Sequence, residues 1–206
     1  MPAKPARYAP AANREAILEA ALHVFAEAGY EGASTRRIAA AAGIEPGHLA
    51  YYFPSKRMLW QAVVEAFAQQ GEQVLRAGLQ SVAGEPACDV LPRLLASLLK
   101  TFAANPQLTR LMLQEFSVSG ERHDWVAQSF GIPVWEILRP FFAALESEGL
   151  LSGASAAAAY MNLLGGALLA FGTRDYFAGI AGYDPTCEPE LSRYIDLLLR
   201  PLLQKG

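Results

Sequence analysis

The chain has 206 residues, 52% of them hydrophobic and 18% charged, which supplies a well-buried core and excludes global disorder. The net charge of −3 excludes a wholly basic nucleic-acid coat. Cys88 and Cys187 share no Cys-x-x-Cys spacing, so they offer neither a zinc nor an iron–sulfur site and suit a reducing compartment.

The charge is uneven. Residues 1–57 carry seven Lys or Arg (4, 7, 14, 36, 37, 56, 57) against five Asp or Glu (15, 19, 27, 31, 45), a balance of +2 that leaves −5 on the rest. A slightly basic head on an acidic body fits a local nucleic-acid contact. Residues 1–12 contain three prolines and read as a flexible tail without the apolar run of a secretory signal. Lys4 and Arg7 in it can trail into a minor groove, though a solvated tail is the simpler reading.

Asn13 is expected to cap a first helix, in which Ile17, Ala20, Ala21, Val24, Phe25 and Ala28 recur at three- and four-residue spacing until Gly29. His23 falls near its apolar face and is expected to pack there. Two short helices follow, over about 34–41 and 45–51, with Gly43 in the turn between them. Leu59, Val63, Phe67 and Val74 predict a helix over 54–80, and Leu91 to Phe102 another, closed by Asn105-Pro106. Helices are expected over 107–117 and over 122–147, the latter bent near Gly131-Ile132-Pro133 and Pro140. Ser152 is expected to cap a helix over 153–178, and Glu188-Pro189-Glu190 to open the last, to Leu203. Period-two alternation is nearly absent, so the fold class is all-α with about nine helices. The most apolar stretch, Ala154 to Ala170, falls short of the roughly 20 apolar residues of a membrane span. A soluble cytoplasmic protein with no membrane partner is expected.

The segment STRRIAAAAGIEPGHLAYYFPSKR, residues 34–57, places cations at two helix starts, where the dipole disfavours them unless an anion docks there. Ser34 to Ala50 has the spacing of a helix-turn-helix, whose second helix enters the major groove. A plain helical hairpin in a core fits the spacing equally well.

The residues Ala20-Ala21…Phe25…Gly29-Tyr30, Ser34-Thr35-x-x-Ile38-Ala39-x-x-Ala42-Gly43-Ile44, Gly47-x-Leu49-x-Tyr51-Tyr52-Phe53 and Ser55-Lys56-x-x-Leu59 resemble the N-terminal domain of the TetR family of bacterial regulators. The resemblance implies a helix-turn-helix DNA-binding domain over 13–57 and a ligand-binding and dimerisation domain over 58–206. It implies that Thr35 and Lys56 hold phosphates, that Arg36 reaches a phosphate or a base edge, and that Ser34 opens the second helix. The recognition helix would be Pro46 to Tyr51, with Gly47 approaching DNA closely and Tyr51 or Tyr52 reaching phosphate or base. Leu49 and Phe53 would fill the core. Three positions depart from the family pattern. Glu45 stands where a hydroxyl is frequent and can accept from a cytosine amino group; His48 can donate to a guanine or a phosphate; Ala50 replaces a frequent Tyr.

In the body, the small uncharged residues of 154–171 and Ile195, Leu198, Leu199 and Leu202 look similar to the family's two-helix dimer interface. Phe102, Met112, Phe116, Trp135 and neighbouring aromatics suit a small-molecule pocket, with Gln114, Glu115, Asn162 and Arg174 as candidate polar groups. Glu115 interrupts an apolar run, so if buried it needs a partner, an arginine or a cationic effector. No cofactor, metal-ligand or catalytic fingerprint is present in the sequence. The expected function is a homodimeric repressor that releases a palindromic double-stranded operator when a small molecule binds. An activator on the same scaffold, or a ligand- or partner-binding protein with a vestigial DNA head, are the alternatives.

Overall fold

The computed structural model describes residues 10–82, 84–151 and 153–203. They form helices joined by short turns, with no strand among the described residues. The chain divides into two compact units between Glu65 and Ala66.

The first unit is built from α1 (Pro10–Gly32), α2 (Thr35–Ala41), α3 (Pro46–Tyr52) and the start of α4 (Lys56–Gln80). α1 begins at Pro10, so Asn13 lies inside the helix instead of capping it. Lys4 and Arg7 lie outside the described residues. α1 is kinked at Gly29 (φ 69°). Ile17, Phe25, Ile38, Leu49, Leu59 and Trp60 are essentially sealed from solvent. Each contributes about 1.5–3 kcal/mol of burial to a small core. His23 is exposed and sits 4.0 Å from Glu27, one helical turn on, so the packed position expected for it is wrong.

The second unit contains the rest of α4, then α5 (Ala87–Ala104), α6 (Pro106–Ser117), α7 (Glu121–Val126), a π-helical turn (Ala127–Gly131), α8 (Ile132–Ser147), α9 (Ala156–Gly172), α10 (Arg174–Ala181) and α11 (Glu190–Leu203). The helices outnumber the nine expected because two long ones are broken. The helix expected over 122–147 switches to i+5 bonding, with the Ile132 N–H donating to the Ala127 carbonyl, immediately before Pro133. Proline supplies no N–H and its ring crowds the preceding turn, so regular α bonding cannot run through it.

The helix expected over 153–178 stops at Thr173, which has non-helical backbone, and α10 leaves at 87° to α9. The Gly172 carbonyl accepts instead from Arg110 Nε at 2.9 Å. α9 is capped by Ser155, whose hydroxyl accepts from the Ala158 N–H, and Glu146 accepts from the Ala156 N–H. The expected cap, Ser152, lies outside the described residues. No single helix among the described residues is long and apolar enough to cross a membrane.

Candidate nucleic-acid interface and effector cavity

The turn between α2 and α3 is fixed by backbone chemistry. Gly43 (φ 67°) donates to the Ala40 carbonyl and Ile44 to that of Ala39, which closes α2 in a Schellman motif. A side chain at Gly43 would strain this left-handed conformation. Ser34 caps α2 by accepting from the Arg37 N–H at 3.2 Å, a contact worth about 1 kcal/mol. Glu45 precedes α3 without a side-chain cap bond, so its exposed carboxylate is not spent on its own helix. Pro46 occupies the first turn, where the missing N–H costs nothing.

Two of the cations at the helix starts, Arg37 and Lys56, have an internal task that bears on the site. Arg37 Nη2 lies 2.6 Å from Glu27 Oε2 on α1. Lys56 Nζ donates to the carbonyls of Tyr30 (2.8 Å) and Ala33 (3.1 Å) and lies 4.3 Å from the Tyr30 ring centroid. The Lys56 charge therefore sits on the carbonyl end of α1, where the dipole favours a cation. Two of its three N–H groups hold the α1–α2 turn against α4. Thr35 and Arg36, one residue apart, are exposed at the start of α2, and Arg36 makes no hydrogen bond or ion pair among the described residues.

On α3 the buried and outward sides separate cleanly. Leu49 and then Phe53 point into the core, and the Arg14 guanidinium lies 5.4 Å from the Phe53 ring. Outward, His48 and Tyr52 pack one turn apart with centroids 5.3 Å apart, and Tyr51 meets Tyr52 edge-on at 5.4 Å. Tyr51 is 81% exposed. Gly47 is exposed, has no left-handed φ, and a Cβ built on it would meet nothing within 4 Å. Nothing inside this protein requires glycine there.

The second unit holds a cavity of about 390 Å³ between α6, α7, α8 and α9. Of the six expected ligand residues it brings together Phe116 and Trp135, and adds His123, Ile132, Tyr160, Met161, Leu164 and Leu168. The other four do not line it. Phe102 is buried in a ring cluster with Phe67 and Phe130, at 5.6 and 6.4 Å, and Met112 is fully buried. Asn162 is exposed on α9. Glu115 is 5% exposed and accepts from Arg122 Nε at 3.1 Å, so the arginine partner, not a cationic effector, neutralises it. Arg174 is exposed and lies 3.7 Å from Asp175. The missed wall has a sequence signal: Tyr160, Leu164 and Leu168 recur every four residues on α9. That spacing is also what any buried helix face shows, which is why it does not announce a cavity.

A sequence model of bacterial regulatory proteins, tetR family, matches residues 17–63. The HTH-type transcriptional regulator RutR of Escherichia coli is 34% identical over 107 residues, 52% of this chain and 49% of that protein. The HTH-type transcriptional repressor AcnR of Corynebacterium efficiens is 40% identical over 74 residues, 35% of this chain and 39% of its own. The chain spans about half the length of the first curated relatives it matches. Among solved structures, a mutant of the HlyIIR protein superposes with a TM-score of 0.70 at 22% identity, covering 96% of this chain and 99% of that one. The TetR family regulator PfmR of Thermus thermophilus gives 0.62 at 24% identity, covering 89% and 97%. These two share the fold along nearly the whole chain. The head, residues 17–63, is thus similar in sequence to the bacterial regulatory proteins of the tetR family, and the chain shares its fold with these structures along nearly its whole length.

Proposed function

We propose that this protein is a transcriptional repressor whose α2–α3 head reads a palindromic double-stranded operator, and whose C-terminal unit releases it on binding a small molecule. The observation that carries the DNA reading is the outward side of α3. Gly47 and Tyr51 are exposed and His48 and Tyr52 half-buried beside them, and nothing among the described residues requires the glycine. A helix entering the major groove presents its N-terminal residues to base edges, so a missing side chain at Gly47 permits close approach. Ser34 positions α2, Thr35 and Arg36 face phosphates, and Pro46 sets the start of α3. Glu45 accepts from a cytosine amino group, and His48, Tyr51 and Tyr52 reach bases or phosphates. Lys56 contributes chiefly by holding the head in shape. RutR and AcnR carry regulator and repressor in their names, and repression is the direction we assign here.

A palindrome requires two heads, and α9 and α11 are the surface we assign to a second copy. α9 contains no charged residue, and Met161, Gly165 and Leu169 stand exposed on it at four-residue spacing, with Leu197 exposed on α11. The small-residue face permits close helix approach, and an isologous pairing gives the two-fold axis. The effector then acts by binding better to the arrangement whose two heads are misplaced for the operator.

Gly47→Ala tests the DNA face. Alanine favours helix over glycine by up to about 1 kcal/mol, so thermal stability should hold or rise slightly. Operator affinity, measured by fluorescence anisotropy, should fall about tenfold or more. Unchanged affinity would remove Gly47 from the interface and with it the assignment of this side of α3.

A further inference from the structure

We infer that the cavity takes an uncharged molecule of two linked or fused aromatic rings bearing one hydroxyl, which hydrogen-bonds to Tyr160. This rests on the reading of the C-terminal unit as effector-binding, and it names the class of effector. A volume of about 390 Å³ lies at the small end of ligand sites and suits roughly two rings, not a flexible chain with several polar groups.

Three ring systems, Phe116, Trp135 and Tyr160, form much of the wall, with Trp135 and Tyr160 centroids 5.0 Å apart. Such faces and edges favour another aromatic ring through offset or edge-on contacts. Among the described residues no Lys, Arg, Asp or Glu lines the cavity. An ionised ligand would therefore surrender its hydration without a counter-charge.

Besides the Trp135 indole N–H, the polar side chains lining the cavity among the described residues are Tyr160 and His123. Tyr160 is 7% exposed, and its hydroxyl makes no hydrogen bond among the described residues, although its ring packs against Trp135 and Phe142. Buried tyrosine hydroxyls ordinarily find a partner. Here the residue lines the cavity. Burial pushes its phenol up to about 12, so it remains a proton donor across physiological pH. The second group is His123. Its Nδ1 lies 3.0 Å from the Asp124 carboxylate, and in the tautomer that donates there Nε2 is an acceptor. A hydroxyl can both accept from Tyr160 and donate to an acceptor such as this, whereas a ketone or ether can only accept. Ile132, on α8, is an exposed residue of the wall and marks where a ligand enters.

The test uses the full chain and three probes of one skeleton, biphenyl, 4-hydroxybiphenyl and biphenyl-4-carboxylate, in equilibrium dialysis. The wild type should bind 4-hydroxybiphenyl about 5- to 10-fold more tightly than biphenyl, the ratio one good hydrogen bond supplies, and the carboxylate more weakly than either. Tyr160→Phe should erase the preference for the hydroxyl while leaving biphenyl affinity within about twofold. Tightest binding of the carboxylate, equal binding of biphenyl and its hydroxyl derivative, retention of the preference in Tyr160→Phe, or no uptake of any probe would each overturn the inference. The three-probe comparison on the wild type stands whether or not the variant folds. Operator release is measured separately. Uptake without any effect on DNA would refute the effector reading and leave the binding class intact, whereas release by another molecule without uptake of these probes would do the reverse.

Discussion

Gly172→Val should destabilise the C-terminal unit by about 2–3 kcal/mol, because the first carbon of a side chain already crowds the neighbouring backbone and the two methyls of valine extend beyond it. A Cβ on Gly172 would lie 3.2 Å from both Cα and N of Arg110 and 3.3 Å from the carbonyl carbon of Thr109. These are backbone atoms of α6, so no rotamer change relieves the contact. The helix ends there as well, and the Gly172 carbonyl is held by Arg110 Nε. Forcing α9 away from α6 would therefore break the bond that satisfies the end of α9, just where α10 turns off. For a chain of this size the melting temperature of that unit should fall by roughly 5–10 °C, measured by differential scanning calorimetry. Gly179→Ala, on α10 with nothing within 4 Å of its Cβ and outside the cavity and the α9 face, is the control that should not lower it. A Val variant that melts with the wild type would mean that α6 and α9 do not approach this closely.

Arg36→Ala should weaken operator binding about 5- to 20-fold at moderate salt and reduce the slope of log affinity against log salt by about 1, with no loss of thermal stability. Arg36 differs from Arg37 and Lys56 in this respect. Arg37 is engaged by Glu27, and Lys56 by two carbonyls and the Tyr30 ring, so removing either disturbs the head itself. Arg36 is exposed and makes no ion pair or hydrogen bond among the described residues, so its loss reports on the partner alone. Lys56→Ala would differ in kind, lowering the stability of the first unit together with DNA affinity. A stable Arg36→Ala protein with an unchanged salt slope would show that Arg36 does not neutralise a phosphate.

The head was legible in the sequence because its signals are local. A capping serine, a glycine that must adopt positive φ and alternating core positions such as Ile38, Leu49 and Phe53 each act within a few residues. What the sequence concealed was partnership over distance. That Lys56 spends its charge on residues 26 and 23 positions earlier cannot be read from the charge pattern that made it conspicuous. The same holds for Glu115, whose conspicuous carboxylate is answered by Arg122. The cavity was half legible. Phe116 and Trp135 were found by aromatic content, yet Phe102 and Met112, equally apolar, fell into the core, because composition does not say on which side of a helix a void is left. The breaks at Pro133 and Thr173 show a graded case: a proline marks itself, whereas the end of α9 depends on Arg110, 62 residues away from Gly172.

The central claim is that the exposed side of α2 and α3 reads DNA as part of a two-headed assembly, and a selection from random double-stranded DNA with the purified full chain tests it most directly. Performed at about 50 mM salt, where phosphate contacts are strongest, it should enrich a palindrome with half-sites about one helical turn apart. Failure to enrich any sequence under those conditions would contradict the account.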